Sequence, residues 1–191
     1  VDAVTETKRS NLEEFLREFD RRWLKPRTLS ENLSAAIDYL RAPPSLADVL
    51  PGAVAREVHG IVDRVDHVGF CFDDSPPDYV ERVLTVAGFP MHDWWPSCFS
   101  SRRRIVIGHR AVGAGSVEIA LDSQHQDPPH VAWRLSNKAA LLDIGSMLEG
   151  TKFAPPDHMK NRIAFNREQA VMFRYFEGEV NGHRVRLEFC L

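Results

Sequence analysis

The chain has 191 residues, a mass of 21.7 kDa, 43% hydrophobic residues, a formal charge of −3 and a sequence pI of about 6.3. That length can bury a full core, and the slightly acidic balance gives no electrostatic case for nucleic acid or an anionic membrane, so a small-molecule substrate is the expected partner. No secretory signal and no apolar run near the roughly 20 residues that span a bilayer is visible, and Cys71, Cys98 and Cys190 lack metal-type spacing, so the reading is a cytoplasmic protein with free thiols.

Residues 1–61 read as an N-terminal helical segment. Ser10 and Glu13 form a candidate capping box ahead of Leu12, Phe15, Leu16, Phe19 and Trp23, an apolar stripe at helical spacing that Pro26 stops. Thr28 with Glu31 caps a second predicted helix bearing Leu33, Ala36, Ile37 and Leu40, which ends before Pro43-Pro44. A third amphipathic stretch covers Ser45 to Ile61. The charges of these helices read as solvated faces, without chemistry.

From Val65 the period changes from helical to alternating. In VDHVGFCF, Val68, Phe70 and Phe72 point one way while His67, Gly69 and Cys71 point the other. Ser75 and Pro76 supply N-cap and N1 residues for a helix using Val80, Val83, Leu84 and Ala87. Strands are predicted near 91–99, 103–110 and 116–122. Trp94 and Trp95 are adjacent on the first of these, so at most one faces a cavity, and Arg102-Arg103-Arg104 reads as a solvated strand start. On the third strand Val117, Ile119 and Leu121 oppose Glu118 and Ala120.

The strand 130–135 sets Val131, Trp133 and Leu135 against His130, Ala132 and Arg134, and a helix with Leu141, Ile144 and Leu148 follows, ending at Gly150. After a polar, Pro-containing stretch, two strands joined by Asn181-Gly182 close the chain, with Val185, Leu187 and Phe189 opposing Arg186, Glu188 and Cys190. A two-residue turn there sets Val180 opposite His183, and therefore Tyr175 opposite Glu188, Glu177 opposite Arg186 and Glu179 opposite Arg184. Those salt pairs account for both arginines structurally. The whole reads as a βαβββ module written twice, about 62–123 and 128–191.

His67, Glu118, His130 and Glu188 each fall on the sparse polar face of an alternating strand, so all four can line one cavity. Two imidazoles and two carboxylates form a hard-to-borderline donor set suited to divalent nickel, cobalt, manganese, zinc or iron. Cys71 and Cys190 share that face and read as small residues filling space beside the site. Arg134 shares the face of His130, has no partner assignable from sequence, and is the candidate for binding an anionic substrate group.

A duplicated βαβββ unit with ligand-type residues on the first and last strand of each copy resembles the vicinal oxygen chelate superfamily, which includes glyoxalase I and the extradiol dioxygenases. The resemblance covers about residues 62–191, with VDHVGF as its best local match. It implies an α+β fold in which the two modules form a cupped mixed sheet around a metal cavity. The N-terminal helices are not part of that pattern and fit an appended layer or an interface, for instance in a homodimer.

The glyoxalase-like branch carries His, Glu or Gln, His and Glu, matched here by His67, Glu118, His130 and Glu188. The resemblance implies a divalent-metal-dependent lyase or isomerase acting on a small oxygenated metabolite through a metal-stabilised enediolate. Glu188 is then the first candidate for the catalytic base and Glu118 the second, with Tyr175 a proton donor or supporting partner beside Glu188. Two alternatives stay open: an Fe(II) oxygenase using His67, His130 and Glu188, and a binding or resistance protein that holds a metabolite without turning it over.

Overall fold

Alternation of apolar and polar residues from Val62 onward produces eight strands, which hydrogen-bond into one mixed sheet in the computed structural model. The structure describes residues 28–41, 45–98, 103–112, 115–122, 130–160, 162–167, 170–180 and 183–191. The predicted Ser10–Trp23 helix, the Pro43-Pro44 stop, Arg102 and the Asn181-Gly182 turn lie outside the described residues.

Helix α1 (Leu29–Arg41) starts where Thr28 and Glu31 predict, through reciprocal bonds of 2.8 Å to Glu31 Oε2 and 3.3 Å to Thr28 Oγ1. The predicted third helix is instead divided by Pro51, which has no N–H to continue a helix: a short 3-10 turn covers Leu46–Asp48 and α2 covers Gly52–His59. Strand β1 (Val62–Phe72) leads to α3 (Pro77–Val86), which begins one residue later than the Ser75-Pro76 pair predicts. The meander β2 (Met91–Pro96), β3 (Arg104–His109) and β4 (Ser116–Leu121) completes the first module.

The second module repeats that order with β5 (His130–Leu135), α4 (Lys138–Met147), β6 (Ala164–Asn166), β7 (Val171–Val180) and β8 (His183–Cys190). Asn137 caps α4 by accepting from the Ala140 N–H at 3.0 Å, and Gly150 follows the helix at φ 78°, where a side chain would be strained. Strand β6 has three residues, too few to show a period, and lies in the stretch read from sequence as polar connection.

The sheet order is β2-β3-β4-β1-β5-β8-β7-β6. Each half runs from a parallel pair, β1 with β4 or β5 with β8, out to an antiparallel edge, and the halves meet where β1 and β5 pair antiparallel. Strand β7 meets β8 in the predicted register, Tyr175 opposite Glu188 and Glu177 opposite Arg186. Val68, Val117, Ile119, Val131, Trp133, Leu187 and Phe189 form a buried face covered by helices, including Leu29 and Leu33 of α1. The opposite face cups a cavity of about 830 Å3.

Candidate metal centre

The centre is built on the two middle strands. Gly69 of β1 pairs with Glu118 on one side and His130 on the other, while Ala132 of β5 pairs with His67 and Glu188. Each imidazole therefore lies opposite a small residue of the other central strand, and each carboxylate enters from the strand outside. A Cβ on Gly69 would stand 2.1 Å from His130 Cε1, so only glycine leaves room for that ring.

All four predicted side chains converge. The Nε2 atoms of His67 and His130 lie 3.1 Å apart, with the rings edge to face at 86°. His67 Nε2 is 3.9 Å from Glu118 Oε2 and 3.8 Å from Glu188 Oε1, and His130 Nε2 is 3.7 Å from a carboxylate oxygen of each glutamate. Every one of these histidine–histidine and histidine–glutamate separations is below twice a metal–ligand bond of about 2.1 Å, so each of those pairs can share a divalent ion. Among the described residues, the ligand atoms of His67, His130 and Glu188 also form a buried trio, all within 4.8 Å of one another.

An ion pair supports the ring of His67. Its Nδ1 stands 3.1 Å from Asp66 Oδ2, and Arg134 Nε donates to Asp66 Oδ1 at 2.7 Å. A carboxylate behind a ligating histidine sets the tautomer and ring orientation. Sequence alternation alone sends Asp66 to the other face, but the β1–β5 register shifts between Val65 and His67, and this extra residue lets Asp66 and His67 both line the cavity. Arg134 is thus not the partnerless cation read from sequence: it faces the cavity, but its guanidinium is held by Asp66.

Charges divide unevenly over the four donors. Burial opposes a charge on His67, yet the Asp66 hydrogen bond and the Glu118 and Glu188 carboxylates outweigh it and raise the imidazolium to about 9. Burial, with the His67 and Arg186 charges behind it, holds His130 well below the ordinary imidazole range. Burial also pushes the Glu188 carboxyl up to about 7 against the opposing His67 and Arg186 charges. Burial works against Asp66 ionisation as well, but His67 and Arg134 keep that carboxyl far below its usual range.

Tyr175 is buried opposite Glu188, with its hydroxyl bonded to His158 Nε2 and the Arg186 guanidinium 4.1 Å over its ring. Arg186 binds Glu177 Oε1 at 2.6 Å, as its register predicts, but Arg184 reaches diagonally to Glu177 Oε2 at 2.9 Å instead of to Glu179. On the other wall Trp95 lines the cavity while Trp94 turns away to donate to Glu81, the division expected of neighbours on a strand. Arg103 is not solvated: it is buried in the wall and paired with Asp122 at 3.3 Å. Cys71 and Cys190 both line the cavity, and burial pushes the Cys190 thiol up, so it is not an activated thiolate.

Asp66, His158 and Arg103 are the site residues sequence reasoning missed. Only Asp66 carried a signal, its position next to His67. His158 lies in a 3-10 turn and Arg103 just before β3, where no period orients a side chain.

No family model matches the chain, and no curated protein sequence does. Among solved structures it is similar to a mutant of 4-hydroxymandelate synthase from Streptomyces coelicolor, at 10% identity over 66% of this chain and 47% of that one, with a TM-score of 0.45. It is also similar to methylmalonyl-CoA epimerase from Mycobacterium tuberculosis, at 13% identity over 68% of this chain and 89% of that one, with a TM-score of 0.42. A third similar structure is a xylose isomerase-like TIM barrel/4-hydroxyphenylpyruvate dioxygenase fusion protein, at 12% identity, 68% and 26% coverage and a TM-score of 0.39. The chain spans about half the length of the first and a quarter of the third. Two βαβββ modules joined edge to edge around a cavity are the duplicated arrangement expected from the sequence. Likeness at this level carries no chemistry, which lies in the side chains of the cavity.

Proposed function

We propose that this chain is a divalent-metal-dependent lyase or isomerase acting on a small oxygenated metabolite. The observation that carries the reading is the convergence of His67, Glu118, His130 and Glu188, from four strands, within 3.9 Å of one or both imidazole Nε2 atoms. A divalent ion held by these residues would supply Lewis acidity toward a substrate oxygen. The chain's own contribution is placement and proton handling. Asp66 and Arg134 orient His67, and Gly69 leaves room for His130.

Glu188 is the leading base. It is buried among the four donors, its carboxylate would stay ionised beside a divalent ion, and on partial release from that ion its Oε atoms would receive the proton from the carbon next to the bound oxygen. Glu118 faces the same histidine pair from the other half and is the second carboxylate available. Return of the proton to a different carbon or face gives isomerisation, and loss of an adjacent leaving group gives a lyase. A supporting or proton-donating role for Tyr175 is part of this reading, and its position opposite Glu188 in the strand pairing supports it, with its hydroxyl bonded to His158.

Incubating metal-loaded protein in D2O with a panel of small hydroxy and oxo acids, followed by proton NMR, tests this reading. Deuterium is expected at the carbon next to the carbonyl, slowed by about 100-fold or more in Glu188→Gln. Undiminished exchange in that variant removes Glu188 from the role, and selective binding without exchange in the native protein leaves only a binding function.

The trio His67, His130 and Glu188, within 4.8 Å, supports a second reading. Two histidines and one carboxylate suit a non-haem Fe(II) oxygenase, with Glu118 held outside the set. Substrate-dependent oxygen uptake by the iron-loaded protein would favour it over the lyase or isomerase.

A further inference from the structure

A second constellation lines the same cavity and uses none of the four donors. Ser116 opens β4, His109 closes β3 opposite it, and Asp93 lies on β2 two positions along from the partner of His109. His109 Nδ1 is 3.0 Å from Ser116 Oγ, and His109 Nε2 is 2.9 Å from Asp93 Oδ2. All three residues line the cavity, and Ser116 stands opposite His67 in the parallel β1–β4 register.

The direction of these bonds follows from their chemistry. An ionised carboxylate only accepts, so the proton of the neutral imidazole sits on Nε2, and Nδ1 is left to accept from the Ser116 hydroxyl. A hydroxyl held on one imidazole nitrogen, with a carboxylate fixing the other, is the relation that makes serine a nucleophile; it is recognised by geometry and role and not by order in the chain. Here Nδ1 and Nε2 exchange the places they hold in the serine proteases, which leaves the proton path unchanged. Asp93 and His109 are 55% and 37% exposed, so the carboxylate contributes orientation more than charge, whereas the hydroxyl faces inward.

We propose that Ser116 is an activated nucleophile that accepts the acyl group of a small ester entering the cavity, with His109 as its general base and Asp93 as the positioning residue. Oγ bonds to the acyl carbon as the bond from that carbon to the leaving oxygen breaks. The Oγ proton passes to His109 Nδ1 and on to the leaving oxygen. Water then adds to the acyl-serine through the same relay, releasing the acid and restoring the hydroxyl. The activity goes beyond the metal-dependent reading and does not require it.

The test uses the whole protein, with and without EDTA, and two probes: p-nitrophenyl acetate, followed by nitrophenolate release, and an alkyl fluorophosphonate, followed by intact mass and peptide mapping. One phosphonyl adduct is expected, on Ser116, in both conditions. His109→Gln is expected to slow labelling and ester turnover by about 100-fold, and Asp93→Asn by about 3- to 10-fold, in keeping with general-base catalysis by a dyad whose carboxylate is half exposed. Ser116→Ala should lose the mapped adduct, and retained circular dichroism in all three variants shows that the loss is not unfolding. No adduct on Ser116 of the native protein between pH 7 and 9, or equal labelling in His109→Gln, overturns the proposal.

Discussion

At Gly69 the site is held by the absence of a side chain. A single added carbon would collide with the His130 ring, so Gly69→Ala must displace that ring or bend β1. The variant is expected to fold with a stability loss of about 1–3 kcal/mol, the usual cost of overpacking, and to bind metal far more weakly. Titration with Zn(II) or Ni(II) against a competing chelator checks this, and native affinity would show that the ring has room the structure denies it. Asp66→Asn keeps the shape but removes the charge behind His67; its expected cost is about 10- to 100-fold in metal affinity.

The residue scale also sets the response to pH. His67 is raised from 6.5 to about 9 and Glu188 from 4.5 to about 7, and both must shed a proton to ligate. Metal affinity should therefore fall as pH drops below about 9, and more steeply below about 7. Calorimetry at pH 7 in two buffers of different ionisation enthalpy should register between about one and two protons released per ion bound. For protein stripped of metal, both raised values favour the protonated folded state. Their stabilisation is complete at low pH and is lost as pH rises through about 7 for Glu188 and about 9 for His67, so the melting temperature should decline across that window. A flat profile between pH 6 and 10, with no proton release, would contradict this assignment.

At the scale of elements, period two made the sheet face legible: it put His67, Glu118, His130 and Glu188 on one side of their strands and Val68, Val117, Val131 and Leu187 on the other, which is how the structure places them. Turn chemistry carried the register that sets Tyr175 opposite Glu188, because a two-residue connection leaves one pairing. What broke the period stayed hidden. The irregularity between Val65 and His67 brings in Asp66 and so occupies Arg134, and nothing in the order Arg64-Val65-Asp66-His67 announces a bulge. His158 and Arg103, outside strands, depend on where a turn and a strand end happen to lie. Glu177 belongs to this scale too, since it joins two strands through Arg184 and Arg186. Glu177→Gln removes a countercharge 2.6 Å from the buried Arg186, and urea unfolding should show a loss of about 3 kcal/mol, against less than about 1 kcal/mol if the pair is merely a surface contact.

At the scale of the whole molecule, the centre exists because two similar modules meet antiparallel along β1 and β5. Each half brings one histidine and one glutamate in the same register, and neither half alone presents more than two donors. The helices on the far face bury the apolar side of the sheet and leave the cupped side for chemistry. On this reading the junction holds one metal ion. Elemental analysis of the purified protein, before and after reconstitution, with the His67→Ala, Glu188→Ala double variant alongside, tests it most directly. About one divalent ion per chain is expected, lost in the double variant while the fold persists. A native protein that takes up no divalent metal after reconstitution, or a double variant that retains it, would mean that the four side chains do not form a metal site.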